Sequence, residues 1–277
     1  MSHIEANFAA PDGATIYYQV WKPENARALI LLAHGFAEHS GRYREFAEFF
    51  NRHGYAVAAL DHPGHGRSDG TPGFIPRFDD YLTVFESFRA LIAEQNPGLP
   101  MILVGHSMGG LIAANYLQQA QQHFCACVLS GPAIKSDVEP PWWQLLLLRL
   151  VAKIAPKAGM LSLDAAGVSR DAAVVEAYLS DPLVYTGKIS ARQAVEMFAG
   201  MQQAQQGASK INLPLLVLHG GDDQLTTPEG SRLFCDWVSS IDKKVKIYPS
   251  LYHEIFNEPE REEVLQDMLA WCEHRIP

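Results

Sequence analysis

Two serines in this chain have glycine two residues to either side, at Gly105-His106-Ser107-Met108-Gly109 and at Gly66-Arg67-Ser68-Asp69-Gly70. The pattern suits a hydroxyl carried on a sharp turn between a strand and a helix, because glycine lets the backbone fold tightly against itself. Context separates the two. Ser107 follows the apolar run Met101 to Val104 and opens a helical stretch through Leu111, Ile112, Asn115 and Tyr116. Ser68 lies several residues beyond its strand, between Pro63 and Pro72, where no helix can begin cleanly. The chemistry on offer at Ser107 is nucleophilic acyl transfer. It needs an imidazole to take the hydroxyl proton and a carboxylate to orient that imidazole.

Eleven histidines make abundance useless as a guide, but chain order helps, since acid and then base follow a serine placed in this way. Downstream, the run Leu213 to Leu218 leads into Asp222 and Asp223, and either aspartate could serve. The next run, Val245 to Tyr248, leads into a loop that carries His253. His274 falls in the last turns of a terminal helix, where a solvated role is expected. Negative charge developing on a carbonyl oxygen needs backbone N–H donors. One should be Met108, the residue after the nucleophile. The other should come from the loop His34-Gly35-Phe36, in which His34 reads as a loop-shaping residue.

These residues need a scaffold, and the alternation of patterns supplies one. Ala28 to Ala33, Tyr55 to Leu60, Pro100 to Val104, Cys125 to Leu129 and Leu213 to Leu218 are short continuous apolar runs. Runs of that kind suit strands buried on both faces, hence a parallel sheet. Helical spacing lies between them, in Tyr43, Phe46, Phe49 and Phe50, in Phe78 to Ile92, and in Val264, Leu265, Met268 and Leu269. The expectation is an α/β fold, a mostly parallel central sheet flanked by helices, with an antiparallel hairpin leading in around Pro11-Asp12-Gly13. From 132 to 209 no good strand is visible. That stretch, opening with Pro140, Pro141, Trp142, Trp143 and Leu145 to Leu148, is too long for a plain loop and reads as an inserted helical cap. Residues 1–131 and 210–277 then form the core.

Composition excludes several classes. The chain has 277 residues, 48% of them apolar, enough for a large core without metals or disulfides. A net charge of −9 with no basic run argues against nucleic acid. No stretch has the length or uniform apolarity of a membrane span, and the start of the chain lacks a signal-peptide pattern, so a cytoplasmic location is expected. Cys125, Cys127, Cys235 and Cys272 read as small core residues of a reduced protein. Asp61, His62 and His65 could in principle hold a metal, but Gly64 and Gly66 favour a turn there and no H-E-x-x-H helix is present. Neither metal nor cofactor is expected.

With these residues in hand, the chain resembles the α/β-hydrolase superfamily, and within it the monoacylglycerol lipase and lysophospholipase-like branch. The matching stretches are His34-Gly35 with Glu38-His39-Ser40-Gly41-Arg42-Tyr43, Asp61 to Ser68, Gly105 to Gly110, Ser180-Asp181-Pro182-Leu183 and Tyr252-His253. The resemblance implies Ser107 as nucleophile, His253 as base, Asp223 rather than Asp222 as acid, and Phe36 and Met108 as oxyanion donors. It implies hydrolysis of carboxylic esters of monoacyl lipids. The alternative is a lysophospholipase, or a broad carboxylesterase or thioesterase acting on soluble esters. Relatives commonly carry a small residue and then glycine where this chain has Phe36-Ala37, so Phe36 is expected to narrow the acyl pocket. Trp142 and Trp143 are expected to contact substrate, and with Leu145 to Leu148 they fit an outer cap face that touches a lipid surface transiently, with Arg149 and Lys153 as its wet side.

Overall fold

The computed structural model describes residues 2–136 and 141–277; Pro140, at the expected opening of the cap, lies outside the described residues. A hairpin comes first, β1 (Ser2–Ala9) and β2 (Thr15–Lys22), turning at Pro11-Asp12-Gly13 with Gly13 at φ 88°. There follow β3 (Ala28–Ala33), α1 (Arg44–Arg52), β4 (Tyr55–Leu60), α2 (Phe78–Gln95), β5 (Met101–His106), α3 (Met108–Ala120) and β6 (Ala126–Ser130). The chain then leaves the sheet through α4 (Trp142–Ile154), β7 (Gly159–Leu161), α5 (Ala172–Ser180), β8 (Ile189–Ser190) and α6 (Ala191–Gly207). It returns with β9 (Leu215–Gly220), α7 (Pro228–Trp237), β10 (Lys243–Tyr248) and α8 (Arg261–Glu273).

Among the described residues, eight strands form one sheet in the order β1-β2-β4-β3-β5-β6-β9-β10. The β1–β2 and β2–β4 pairings are antiparallel and the others parallel. Alternate residues of the central strands feed two cores. Leu29, Leu31 and Ala33 face a layer with α2, α3 and α7, while Ala28, Ile30 and Leu32 face α1 and α8. Burial on both faces is why these strands read as unbroken apolar runs. Cys127, Cys235 and Cys272 are buried in these cores, and the half-buried Cys125 thiol donates to the Met101 carbonyl at 3.2 Å.

One expectation is corrected. The stretch from 132 to 209 is not free of strand, because β7 and β8 pair as a two-stranded antiparallel ladder. All three β7 residues are exposed, so no alternation marks them in the sequence.

The parallel strands all end on one side, as is general where open α/β sheets bind ligands. Ser107 follows β5, the Gly35–Phe36 loop follows β3, and Gly131 follows β6. Asp223 and His253 lie on the loops after β9 and β10.

Candidate active site

Ser107 is the N-cap of α3, with φ 53° and ψ −117°, a conformation that residues with side chains rarely adopt. The flanking glycines are forced by close approach. A Cβ on Gly109 would sit 2.0 Å from the Ala33 carbonyl oxygen, and one on Gly105 would sit 2.5 Å from that of Gly109. The turn is pinned on both sides: the Ser107 N–H donates to the Ser130 carbonyl at 2.9 Å, and its carbonyl accepts from Ala133 N–H at 3.0 Å. Met108, next in chain, is the first residue of the helix, where backbone N–H groups have no intrahelical partner and the dipole favours negative charge.

Asp223 is buried and Asp222 exposed, which distinguishes the neighbours. Asp223 Oδ1 accepts the backbone N–H of Leu225 at 2.8 Å and of Thr226 at 3.0 Å. Its Oδ2 accepts from the Thr226 hydroxyl at 2.9 Å, from His219 Nε2 at 3.0 Å and from His253 Nδ1 at 2.6 Å. Burial by itself would raise this carboxyl's pKa. The His253 charge and the hydrogen bonds from His219 and His253 overcome it and hold the group far below the ordinary carboxylate range. His253 is the mirror case, since burial opposes its charged form but Asp223 raises its pKa above the ordinary imidazole value. His106 packs against it with ring centroids 4.7 Å apart, and burial pushes His106 down to about 4.

Ser107, His253, Phe36 and Met108 line one cavity of about 280 Å³. Its wall is mostly apolar, with Leu161, Val168, Met197, Phe198, Met201 and Leu225 among the residues on it. Phe36 meets Tyr185 edge-on at 6.3 Å and His65 at 5.5 Å, so its ring bridges the core and the 132–209 excursion. Trp142 and Trp143 are not on this wall. They stand outside on α4, 77% and 49% exposed. Ser68 is bound into its loop, its hydroxyl donating to the Asp61 carbonyl at 2.6 Å and accepting from Tyr17 N–H at 2.9 Å. The Asp61 carboxylate accepts the backbone N–H groups of Ser40 and Arg67, which organises the turn and not a ligand cage. His274 is exposed at the end of α8.

Other residues shape the site without any mark in the nucleophile pattern. His34 accepts the His62 N–H on Nε2 at 2.9 Å, so its proton is on Nδ1, which donates to the Gly35 carbonyl at 2.7 Å. Because the peptide is planar, holding that carbonyl also sets the direction of the Phe36 N–H. Glu38 Oε1 accepts the Gly35 N–H at 2.6 Å. His39 Nε2 lies 2.9 Å from Asp181 Oδ2, joining this loop to the segment after α5. A hydroxyl held on a strained turn, a buried imidazole–carboxylate pair and an apolar cavity together suit attack on the carbonyl of an acyl group.

The family described as serine aminopeptidase, S33 matches residues 24–260. The monoacylglycerol lipase of Mycolicibacterium smegmatis is 41% identical over 268 residues, covering 96% of each chain. Phospholipase YtpA of Bacillus subtilis is 32% identical over 261 residues, covering 92% of this chain and 99% of its own. The crystal structure of Paleococcus ferrophilus monoacylglycerol lipase superposes with a TM-score of 0.81 at 32% identity, covering 98% of both chains. With a match spanning most of its length and an α/β-hydrolase fold, this chain belongs to the serine aminopeptidase S33 family.

Proposed function

We propose that this protein is a serine hydrolase that cleaves carboxylic esters of monoacyl lipids, monoacylglycerols in the first place, through an acyl-enzyme on Ser107. The observation that carries this reading is the shared cavity: Ser107 on a strained turn and His253, tied at 2.6 Å to buried Asp223, lie on one mostly apolar wall. The names of the relatives support the lipid class, and so does a wall built of Leu, Val, Met and Phe. An aliphatic wall suits an acyl chain better than the charged terminus of a peptide.

In the proposed reaction His253 takes the Ser107 proton as the hydroxyl attacks the ester carbonyl. The Phe36 and Met108 N–H groups hold the oxyanion. The alcohol leaves with the proton from His253, and water repeats the sequence on the acyl-enzyme. Asp223 fixes the imidazole tautomer and stabilises its charged form. Residues 132–209 would act as the cap of this site. Its helix α4 turns Trp142, Trp143, Leu146, Leu147, Leu150 and Ile154 outward, and residues 141–163 contain Arg149, Lys153 and Lys157 but no acid. That surface suits transient contact with the lipid aggregate holding the substrate. No helix among the described residues is long and apolar enough to cross a membrane.

A fluorophosphonate should label wild-type protein at Ser107, and Ser107→Ala should lose both the label and on the order of 10⁵-fold in turnover. A panel of monoacylglycerols, lysophospholipids and p-nitrophenyl esters should rank monoacylglycerols first. Labelling at Ser68 would overturn the nucleophile, and preference for short soluble esters would overturn the lipid class.

A further inference from the structure

A buried ion triad lies beside the cavity, and the reaction as described makes no use of it. Arg42 places Nη1 2.5 Å from Glu254 Oε1 and Nη2 2.7 Å from Glu254 Oε2, a two-pronged pairing, and Nη1 also lies 3.1 Å from Glu38 Oε2. The side chains of Arg42, Glu38 and Glu254 are only 10%, 4% and 6% exposed. Two carboxylates sharing one guanidinium out of water are costly to hold, and removing the cation would leave both uncompensated. Such an arrangement asks what it fixes.

Each partner leads to a different part of the site. Glu38 Oε1 accepts the Gly35 N–H, directly before the peptide whose N–H belongs to Phe36, and also the Tyr43 hydroxyl at 2.7 Å. Glu254 is the residue after His253, and its second oxygen is further held by Asn257 at 2.9 Å. The Arg42 guanidinium stacks over the Tyr178 ring, 4.7 Å from its centroid, and Tyr178 is on α5 and lines the cavity. One planar cation therefore joins the loop after β3, the loop after β10 and the 132–209 excursion. We propose that Arg42 is a positioning residue of the hydrolytic reaction, holding the Gly35–Phe36 turn and the His253 loop in one frame under Tyr178. Arg42 can play this part only if Ser107 and His253 act as set out above. Arginine is required because only its fork meets both oxygens of Glu254 while keeping a contact to Glu38 and a face for Tyr178.

The triad also carries one surplus negative charge near His253. The other titratable groups at that ring are Asp223, with His219 behind it, and His106 from the end of β5, while Tyr178 lies against Arg42. Removing the cation should favour the charged imidazole, and removing Glu254 should disfavour it. The test is the pH dependence of kcat/KM on a soluble p-nitrophenyl ester between pH 5 and 9, for wild type, Arg42→Gln, Glu254→Gln and the double variant. Arg42→Gln should lose on the order of 10²-fold, mostly in kcat, as expected for a small misplacement of reacting groups. Its acid limb should move up by roughly half a pH unit or more, and that of Glu254→Gln down by a similar amount, given an effective dielectric near 20. In the double variant the losses should be less than additive.

Folded single variants whose limbs stay at the wild-type position, or move in the same direction, would overturn the role of Arg42. If Arg42→Gln does not fold, Arg42→Lys decides with Glu254→Gln. The lysine should keep the limb near wild type and still lose roughly tenfold in kcat, because the charge remains and the fork does not; unchanged kcat overturns the role. Fluorophosphonate labelling of wild-type Ser107 separates the two failures. Without that label it is the nucleophile reading that falls.

Discussion

Ser107 and Ala37 are non-glycine residues at positive φ, 53° and 70°, and they stand on two turns in close contact, since a Cβ on Gly35 would lie 3.2 Å from that of Ser107. A side chain held in such a conformation costs about 1–3 kcal/mol. At Ser107 the cost is attached to the one atom the chemistry needs. Comparing Ser107→Gly with Ser107→Ala isolates it, since both lack the hydroxyl and differ only in Cβ. At an ordinary position the glycine variant would be the less stable of the two by roughly 0.5–1 kcal/mol. Here Ser107→Gly should be the more stable by about 1 kcal/mol in urea denaturation, and the ordinary order would show that the turn is not strained. This residue was legible in the sequence because the glycines its turn requires, Gly105 and Gly109, stand two residues to either side of it. Arg42 and Glu254 were not, because 212 residues separate the partners and a charged pair leaves no periodic trace. Between Asp222 and Asp223 the residue types are identical, and only the turn after β9 decides which one is buried.

At the scale of elements, the continuous runs located the central strands because both faces of each are covered. The observed ladders extend one or two residues further, to His106, Ser130 and Gly220, since sheet pairing is made by backbone and does not require an apolar side chain. The β7–β8 ladder stayed hidden, being three and two residues long with β7 wholly exposed. For α4 the sequence showed a helix but not its orientation. With Trp, Leu, Val and Ile around most of its circumference, periodicity cannot say which face turns inward. Buried Ala152 marks the inner side, and the two tryptophans and Ile154 are on the outer one. If that outer side meets lipid, Trp142→Ser with Trp143→Ser should weaken binding to vesicles at least roughly tenfold. At about 25 cal/mol per Å², losing some 60 Å² of inserted apolar surface is enough. Turnover of a short soluble ester should stay at the wild-type level, because neither ring is on the cavity wall. Unchanged vesicle binding in a sedimentation assay would remove the lipid-facing role of α4.

Across the whole molecule, four histidines are built in as neutral groups. Burial is the leading cause in each: it lowers His34 and His106 to about 4, His65 to about 3, and His62 well below the ordinary imidazole value. Three of them form one cluster, with the His34 and His62 rings 4.4 Å apart and His65 5.4 Å from His34. Among the described residues, neither ring nitrogen of His62 has a hydrogen-bond partner. In the unfolded chain these groups would take up protons near pH 6.5. Their contribution to stability is therefore complete above that pH and is lost as pH falls toward their folded values, since the unfolded state binds more protons across this window. His253 acts in the opposite sense, its raised pKa adding stability below about pH 6.5, but it is one group against four. Urea denaturation between pH 7 and pH 5 should give a slope equivalent to roughly two to four protons near pH 5.5, or about 3–5 kcal/mol per pH unit. His62→Phe should reduce that slope by roughly one proton, as it removes a titrating ring whose nitrogens make no hydrogen bond among the described residues. A wild-type slope of one proton or less would mean that the cluster is not held neutral in the fold. The acid limb of activity reports His253 alone, so stability and turnover should fail at different pH values and by different groups.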